Sequence, residues 1–267
     1  MLRQPTFDKL HSLRLRGMAE AFEQQLNQPD LAALSFEERF GLLVDAQWTW
    51  KENQAVAGRL KKAHLTLSAC FEDINFRHPR NLDRSLIRSL GDCQWVARHQ
   101  NLLITGPTGI GKSYLCRAFL QKACQQGYTA YYSRASRFFR DLEVAHADGR
   151  YDRLLRSLAR TDLLGLDDWG LAPLSDAQCR YLLEVLDDRY GCRSTLITSQ
   201  YALKQWHGQI AFPTLADAIL DRLVHNAHKL EMDGESLRRE KAKSEADLPP
   251  RPLDPEPQRH PRKGVRS

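Results

Sequence analysis

The chain has 267 residues, 42% hydrophobic and 27% charged, with a formal net charge of +6. These proportions fit one ordinary folded domain with a smaller companion, and they exclude both a disordered chain and a multidomain machine. No run approaches the roughly 18 consecutive apolar residues of a membrane span, and Met1–Glu20 lacks the pattern of a signal peptide.

The six cysteines are scattered without a C-x-x-C pair, which argues against a zinc site or disulfide framework and for a reducing cytoplasm. The positive charge is not spread evenly. Residues 1–66 hold nine Lys/Arg against eight Asp/Glu, residues 67–237 hold twenty-one against twenty, and the last thirty hold nine against five. Most of the excess therefore sits in the tail, and net charge alone gives no basic core.

From the N-terminus, Phe7, Leu10, Leu13 or Arg14, Met18, Phe22 and Leu26 recur near helical spacing. Gln28-Pro29-Asp30 breaks that helix. Ser35-Phe36-Glu37-Glu38 has the form of a capping box and starts a long helical pattern through Phe40, Leu43, Trp48, Val56 and Leu60. The run Arg59-Leu60-Lys61-Lys62 closes it, either as a solvated last turn that suits the helix dipole or as a phosphate contact. With no strand signal before Leu67, residues 1–67 read as a small all-helical domain.

From Ser68 to about Gly234 short apolar strands alternate with helices. The strands are expected over 101–105, 128–133, 162–167, 194–198 and 228–232, and the helices near 113–126, 135–147, 176–190 and 215–226. Strict alternation predicts an α/β fold with a parallel five-stranded sheet between helices. Beyond residue 239 six of the twelve prolines crowd a basic stretch with little to bury, so 239–267 is expected to be a disordered tail.

The chemistry concentrates after the first strand. Gly106-Pro107-Thr108-Gly109-Ile110-Gly111-Lys112-Ser113 fits G-x-x-x-x-G-K-[ST], a loop whose backbone N–H groups curl around the phosphates of ATP. Lys112 would bridge the β- and γ-phosphates, and the Ser113 hydroxyl would bind Mg²⁺. Leu163-Leu164-Gly165-Leu166-Asp167-Asp168 is an apolar strand ending in acid. Asp167 would hold the Mg²⁺ shell, since a hard cation takes oxygen ligands, and Asp168 would orient or deprotonate the attacking water. Thr198-Ser199-Gln200 ends the fourth strand, so Ser199 or Gln200 would face the γ-phosphate beyond the strand's carboxyl end. Arg222 lies within a late helix. It would be either a surface partner of Asp217 or Asp221, or an arginine finger acting on a neighbour's ATP. The five tryptophans form no stacking platform, although Trp169 directly follows the acidic pair.

These residues carry a resemblance. Leu13 to Met18, Phe71 to Phe76, Asn101 to Ser113, Leu166 to Gly170, Thr214 to Ala227 and Gly234 to Arg238 are similar to the IstB-like ATP-binding helpers of insertion-sequence transposition, AAA+ ATPases related to the DnaC helicase loaders. The resemblance implies an AAA+ core over 68–238 and a helical N-terminal region that contacts DNA or a partner. It further implies ATP-driven homo-oligomerisation on double-stranded DNA and stimulation of a transposase. It places Arg222 at the finger position and Arg238 at a second sensor. Asp168 stands where many AAA+ ATPases carry Glu, which implies slow hydrolysis. The competing readings are a replicative helicase loader of the same fold and, from another class, a small-molecule P-loop kinase.

Overall fold

In the computed structural model, residues 3–65, 69–210 and 212–237 are described. The chain opens with α1 (Arg3–Ser12), α2 (Arg16–Asn27) and, after a 3-10 turn at Pro29–Ala33, the long α3 (Phe36–Lys62). The expected single first helix is two. Arg14 adopts φ +58°, the left-handed region, and the turn there brings Phe7 of α1 to 5.2 Å from Phe22 of α2 between ring centroids. The capping box forms at Ser35 and Glu38 with both reciprocal hydrogen bonds.

The buried face of α3 differs from the expected one. Phe40 and Trp48 are exposed, whereas Gln47 is buried and accepts from the Met18 backbone N–H at 3.1 Å. Gly17 explains this choice. A Cβ there would lie 2.5 Å from Trp50 Cβ and 2.7 Å from the Ala46 carbonyl, so α2 approaches α3 along Ala46, Gln47 and Trp50. The far end of α3 rests on the sheet domain, where Arg59 Nε donates to the Cys124 carbonyl at 2.8 Å.

Next come α4 (Arg84–Gly91), α5 (Gln94–Ala97), β1 (Asn101–Thr105), α6 (Lys112–Gln125), β2 (Ala130–Arg134), α7 (Ala135–Ala147) and α8 (Tyr151–Arg160). They are followed by β3 (Leu163–Trp169), α9 (Asp176–Arg189), β4 (Ser194–Ser199), α10 (Pro213–Val224) and β5 (Ala227–Glu231). The five strands are all parallel, in the order β2-β3-β4-β1-β5. Side chains alternate across the sheet. Leu102 and Ile104 meet Leu115, Phe119 and Trp95 on one face, and Leu103, Leu166 and Ile197 meet Phe138, Leu182 and Ile219 on the other. Both faces are covered, which is why these strands read as continuous apolar runs. The outer edge of β2 meets the C-cap of α3, where Tyr132 N–H donates to the Ala63 carbonyl at 2.9 Å.

One buried cation fastens the amino-terminal end of the sheet. Arg189 is 1% exposed. Its guanidinium donates to the carbonyls of Leu158, Thr161 and Ser194 and to Thr195 Oγ1. Burial pulls its pKa well below the ordinary value, and the ring of acceptors compensates the charge in place of a carboxylate. Arg189→Met is therefore expected to strand three buried carbonyls and to cost about 3 kcal/mol or more. A lowered urea midpoint at unchanged m-value would report that loss; a midpoint at the wild-type value would refute the role.

Candidate functional site

After β1 the chain turns through Gly106 at φ +146° and reaches Gly111 at φ +102°. A Cβ on Gly106 would sit 2.3 Å from the Met232 carbonyl oxygen, and one on Gly111 would sit 2.6 Å from Arg80 Nη1. Only glycine meets both the backbone angle and the crowding. Gly111 is also the N-cap of α6 and supplies no capping side chain. The first intrahelical bond runs from Leu115 N–H to the Gly111 carbonyl, so the amides of Lys112, Ser113 and Tyr114 have no acceptor within the helix. Uncapped amides at the positive end of a 14-residue helix form an anion cradle.

Lys112 is buried, and its ammonium donates to the carbonyls of Gly106 at 2.7 Å and Pro107 at 2.8 Å. Burial draws its pKa down, and the nearby carboxylates of Asp168 and Asp167 oppose that shift. Arg80 braces the loop from beneath, donating to the carbonyls of Ile110 at 2.9 Å and Asn75 at 2.7 Å. Met232 N–H to Thr105 O and Leu237 N–H to Gly109 O bring the segment after β5 against the same loop.

Asp167 is 1% exposed at the carboxyl end of β3. One carboxylate oxygen accepts from Thr198 Oγ1 and the other from Tyr132 OH. Directly afterwards the β3–β4 register shifts, and Asp168 adopts φ +61°. A bulge of this kind turns a side chain out of the strand's alternation. The Asp168 amide donates to Thr198 Oγ1 at 3.1 Å, and its carboxylate lies 3.9 Å from Arg134 Nε. Trp169 is buried against Trp206 and Phe139, at 5.8 and 6.2 Å between ring centroids.

β4 separates Ser199 from Gln200. Ser199 is fully buried, and its hydroxyl donates to the Trp169 carbonyl at 2.9 Å. Gln200 instead accepts from Thr108 Oγ1 of the glycine loop at 3.0 Å. Of the pair, it is Gln200 whose side chain meets the loop.

Arg222 lies elsewhere. Asn101, the first residue of β1, donates to its carbonyl at 3.0 Å, so Arg222 flanks the amino end of the strand whose carboxyl end carries the glycine loop. Five residues separate the two ends, about 16 Å of strand. Its guanidinium pairs with Asp187 of α9, not with Asp217 or Asp221, and also donates to the Ala218 carbonyl at 2.8 Å. Beside it opens a cavity of about 290 Å³, lined among others by His99, Arg193 and His225. Arg238 and the tail 239–267 lie outside the described residues, as does the expected boundary at 66–68.

Four features escaped the sequence reading. Tyr132 sits inside an ordinary strand pattern, Thr198 stands beside other polar residues at a strand end, and Arg80 occurs in an irregular segment. The fourth is α8, where Arg153, Arg156 and Arg160 recur at i, i+3 and i+7 on the exposed side. That spacing was available as a signal.

Comparison with known proteins shows the family and the fold. The family model described as IstB-like ATP binding protein matches residues 8–246. The chain is 48% identical over 239 residues to an insertion-sequence ATP-binding protein of Sinorhizobium fredii, covering 90% of this chain and 98% of the relative. It is 47% identical over 201 residues to the insertion sequence IS1162 ATP-binding protein of Pseudomonas fluorescens, covering 75% and 87%. Among solved structures, DnaI shares the fold at TM-score 0.53 and 21% identity, over 61% of this chain and 90% of that one. The chain belongs to the IstB-like ATP-binding protein family, and its fold is that of the AAA+ ATPases.

The contrast at the end of β4 can be measured. Ser199→Ala leaves the buried Trp169 carbonyl without its hydroxyl donor and is expected to cost roughly 1–3 kcal/mol in denaturant unfolding. Gln200→Ala, at the surface of the loop, should stay within about 0.5 kcal/mol of wild type. Equal losses would contradict the division of labour.

Proposed function

We propose that this IstB-like protein is a DNA-binding ATPase that oligomerises on double-stranded DNA and activates or targets a partner transposase in insertion-sequence transposition, in the cytoplasm. The observation that carries this reading is the separation of Arg222 from the glycine loop across the length of β1. An arginine on the opposite end of the sheet cannot reach the phosphates bound by its own chain, but it can reach those of a neighbouring copy. The names of the relatives, which are insertion-sequence proteins, support the transposase as partner.

In this reading the amides at the start of α6 receive the phosphates of ATP, and Lys112 leaves two carbonyls for the β- and γ-phosphates. Ser113 and Asp167 hold the magnesium ion, which supplies charge stabilisation on the phosphate oxygens. The hydroxyl and the buried, doubly hydrogen-bonded carboxylate are hard oxygen donors that suit it. Asp168 orients the attacking water and takes its proton as the water oxygen bonds the γ-phosphorus and the bond to the β-phosphate oxygen breaks. Gln200, through Thr108, reports the state of the γ-phosphate. The neighbour's Arg222 exchanges Asp187 for the charge that develops there.

Contact with DNA is assigned to α8. The guanidinium groups of Arg153, Arg156 and Arg160 form no hydrogen bond or ion pair among the described residues, while Leu155 and Leu158 fix the opposite side of the helix in the core. The N-terminal helices (1–67) and the basic tail (239–267) are further contacts for DNA or partner around an ATPase domain of 68–238.

Two outcomes check these assignments. Arg222→Ala should keep nucleotide affinity yet lower DNA-stimulated turnover by about a hundredfold or more, within or below the ~10³–10⁵ range of such fingers. Mixing it with Lys112→Ala, which should not bind ATP tightly, should restore part of the turnover, because mixed interfaces pair an intact loop with an intact arginine. Normal turnover by Arg222→Ala would exclude the finger and the oligomeric site together. Replacing Arg153, Arg156 and Arg160 by Gln should flatten the plot of log K against log salt by about 2–3, near 0.9 for each lost phosphate contact. An unchanged slope would move the DNA surface away from α8.

A further inference from the structure

Asp167 is nearly inaccessible to solvent, and a buried carboxylate is held in one orientation when each of its oxygens has a donor. The two hydroxyls that donate to it come from the strands on either side of β3. Thr198 arrives from β4 and Tyr132, at 2.8 Å, from β2. Register explains the reach of the phenol. Tyr132 pairs with Gly165, and Asp167 lies two residues further along the same face, so a side chain leaning forward along the strand meets the carboxylate. Tyr132 is itself fixed twice. Its backbone N–H donates to the Ala63 carbonyl at 2.9 Å, and Arg117 lies 5.9 Å from its ring centroid with Nη1 donating to the phenol oxygen at 3.4 Å.

We infer that Tyr132 is a positioning residue for the metal-holding carboxylate. With the Thr198 hydroxyl on one oxygen and the Tyr132 hydroxyl on the other, Asp167 is held against rotation, and each oxygen keeps lone-pair capacity for a cation. Tyr132 does not touch nucleotide; it acts through Asp167. The inference rests on the reading of Asp167 as the magnesium-holding residue, and the test separates the two.

The test is equilibrium binding of a fluorescent ATP analogue to the full chain, titrated with Mg²⁺ and repeated in EDTA. Tyr132→Phe removes one oxygen and keeps the ring. It should leave affinity in EDTA within about twofold of wild type, yet raise the Mg²⁺ concentration at half-effect by about tenfold, the lower end of the ~10–100-fold seen when the partner of a metal ligand is lost. In an Asp167→Asn background the same substitution should change nothing further, which a general loosening of β2 would not reproduce. If Asp167→Asn abolishes the Mg²⁺ effect and Tyr132→Phe leaves it at wild type, the role of Tyr132 is overturned alone. If wild type and Asp167→Asn respond to Mg²⁺ alike, the assignment of Asp167 falls and takes the inference with it.

Discussion

Everything at the glycine-loop end of this protein depends on one constraint: five strands that run the same way. Parallel pairing sends each carboxyl end to the same edge of the sheet, and the order β2-β3-β4-β1-β5 interleaves strands that are far apart in sequence. β4 lies between β3 and β1, so Thr105 pairs with Ser199, and Ser199 with Trp169. The glycine loop, Gln200 and the acidic pair are thus neighbours because of the ladder, although nearly 60 residues separate Thr108 from Asp167. The same parallelism banishes Arg222 to the other edge.

Low dielectric gives that edge its electrostatic character. Lys112 is buried and rests on two carbonyls, a holding position that satisfies its donors without neutralising its charge. Asp167 is buried with two hydroxyl donors and no direct cation partner among the described residues. Each group is held by hydrogen bonds that make its burial tolerable without an ion-pair partner among the described residues. Arg189, at the opposite edge, shows the alternative: its charge is surrounded by carbonyls and serves only the fold.

Most of the sheet was legible in the sequence because strands buried on both faces must be apolar throughout, and such runs stand out between amphipathic helices. Asn101–Thr105 and the helix Ala135–Ala147 coincide with their expected bounds. The glycine loop was legible for a different reason: only glycine tolerates its backbone angles, so the motif survives as letters. What was missed shares one property. The turn at Arg14, the inward face of α3 and the contact of Tyr132 with Asp167 are decided by partners distant in sequence, and local periodicity carries no information about them. The Asp187 partner of Arg222 belongs with these, since α9 and α10 are separated in sequence by β4 and are brought together by the fold. The arginine spacing of α8 is the exception, since it is local and was available.

Asp168 joins these threads. Its side chain is one methylene shorter than a glutamate's, which by itself shortens the reach of its carboxylate. The backbone compensates in direction, though not in length. With the register broken between Leu166 and Trp169 and φ at +61°, Asp168 departs from the alternation that would tuck it toward a neighbouring strand. Aspartate tolerates this region better than glutamate does, because its short polar chain bonds locally. Thr198 ties the arrangement together, since one hydroxyl serves both the Asp167 carboxylate and the Asp168 amide. The bulge thus gives two adjacent acidic residues different surroundings, with Thr198 and Tyr132 on the Asp167 carboxylate and Arg134 beside that of Asp168.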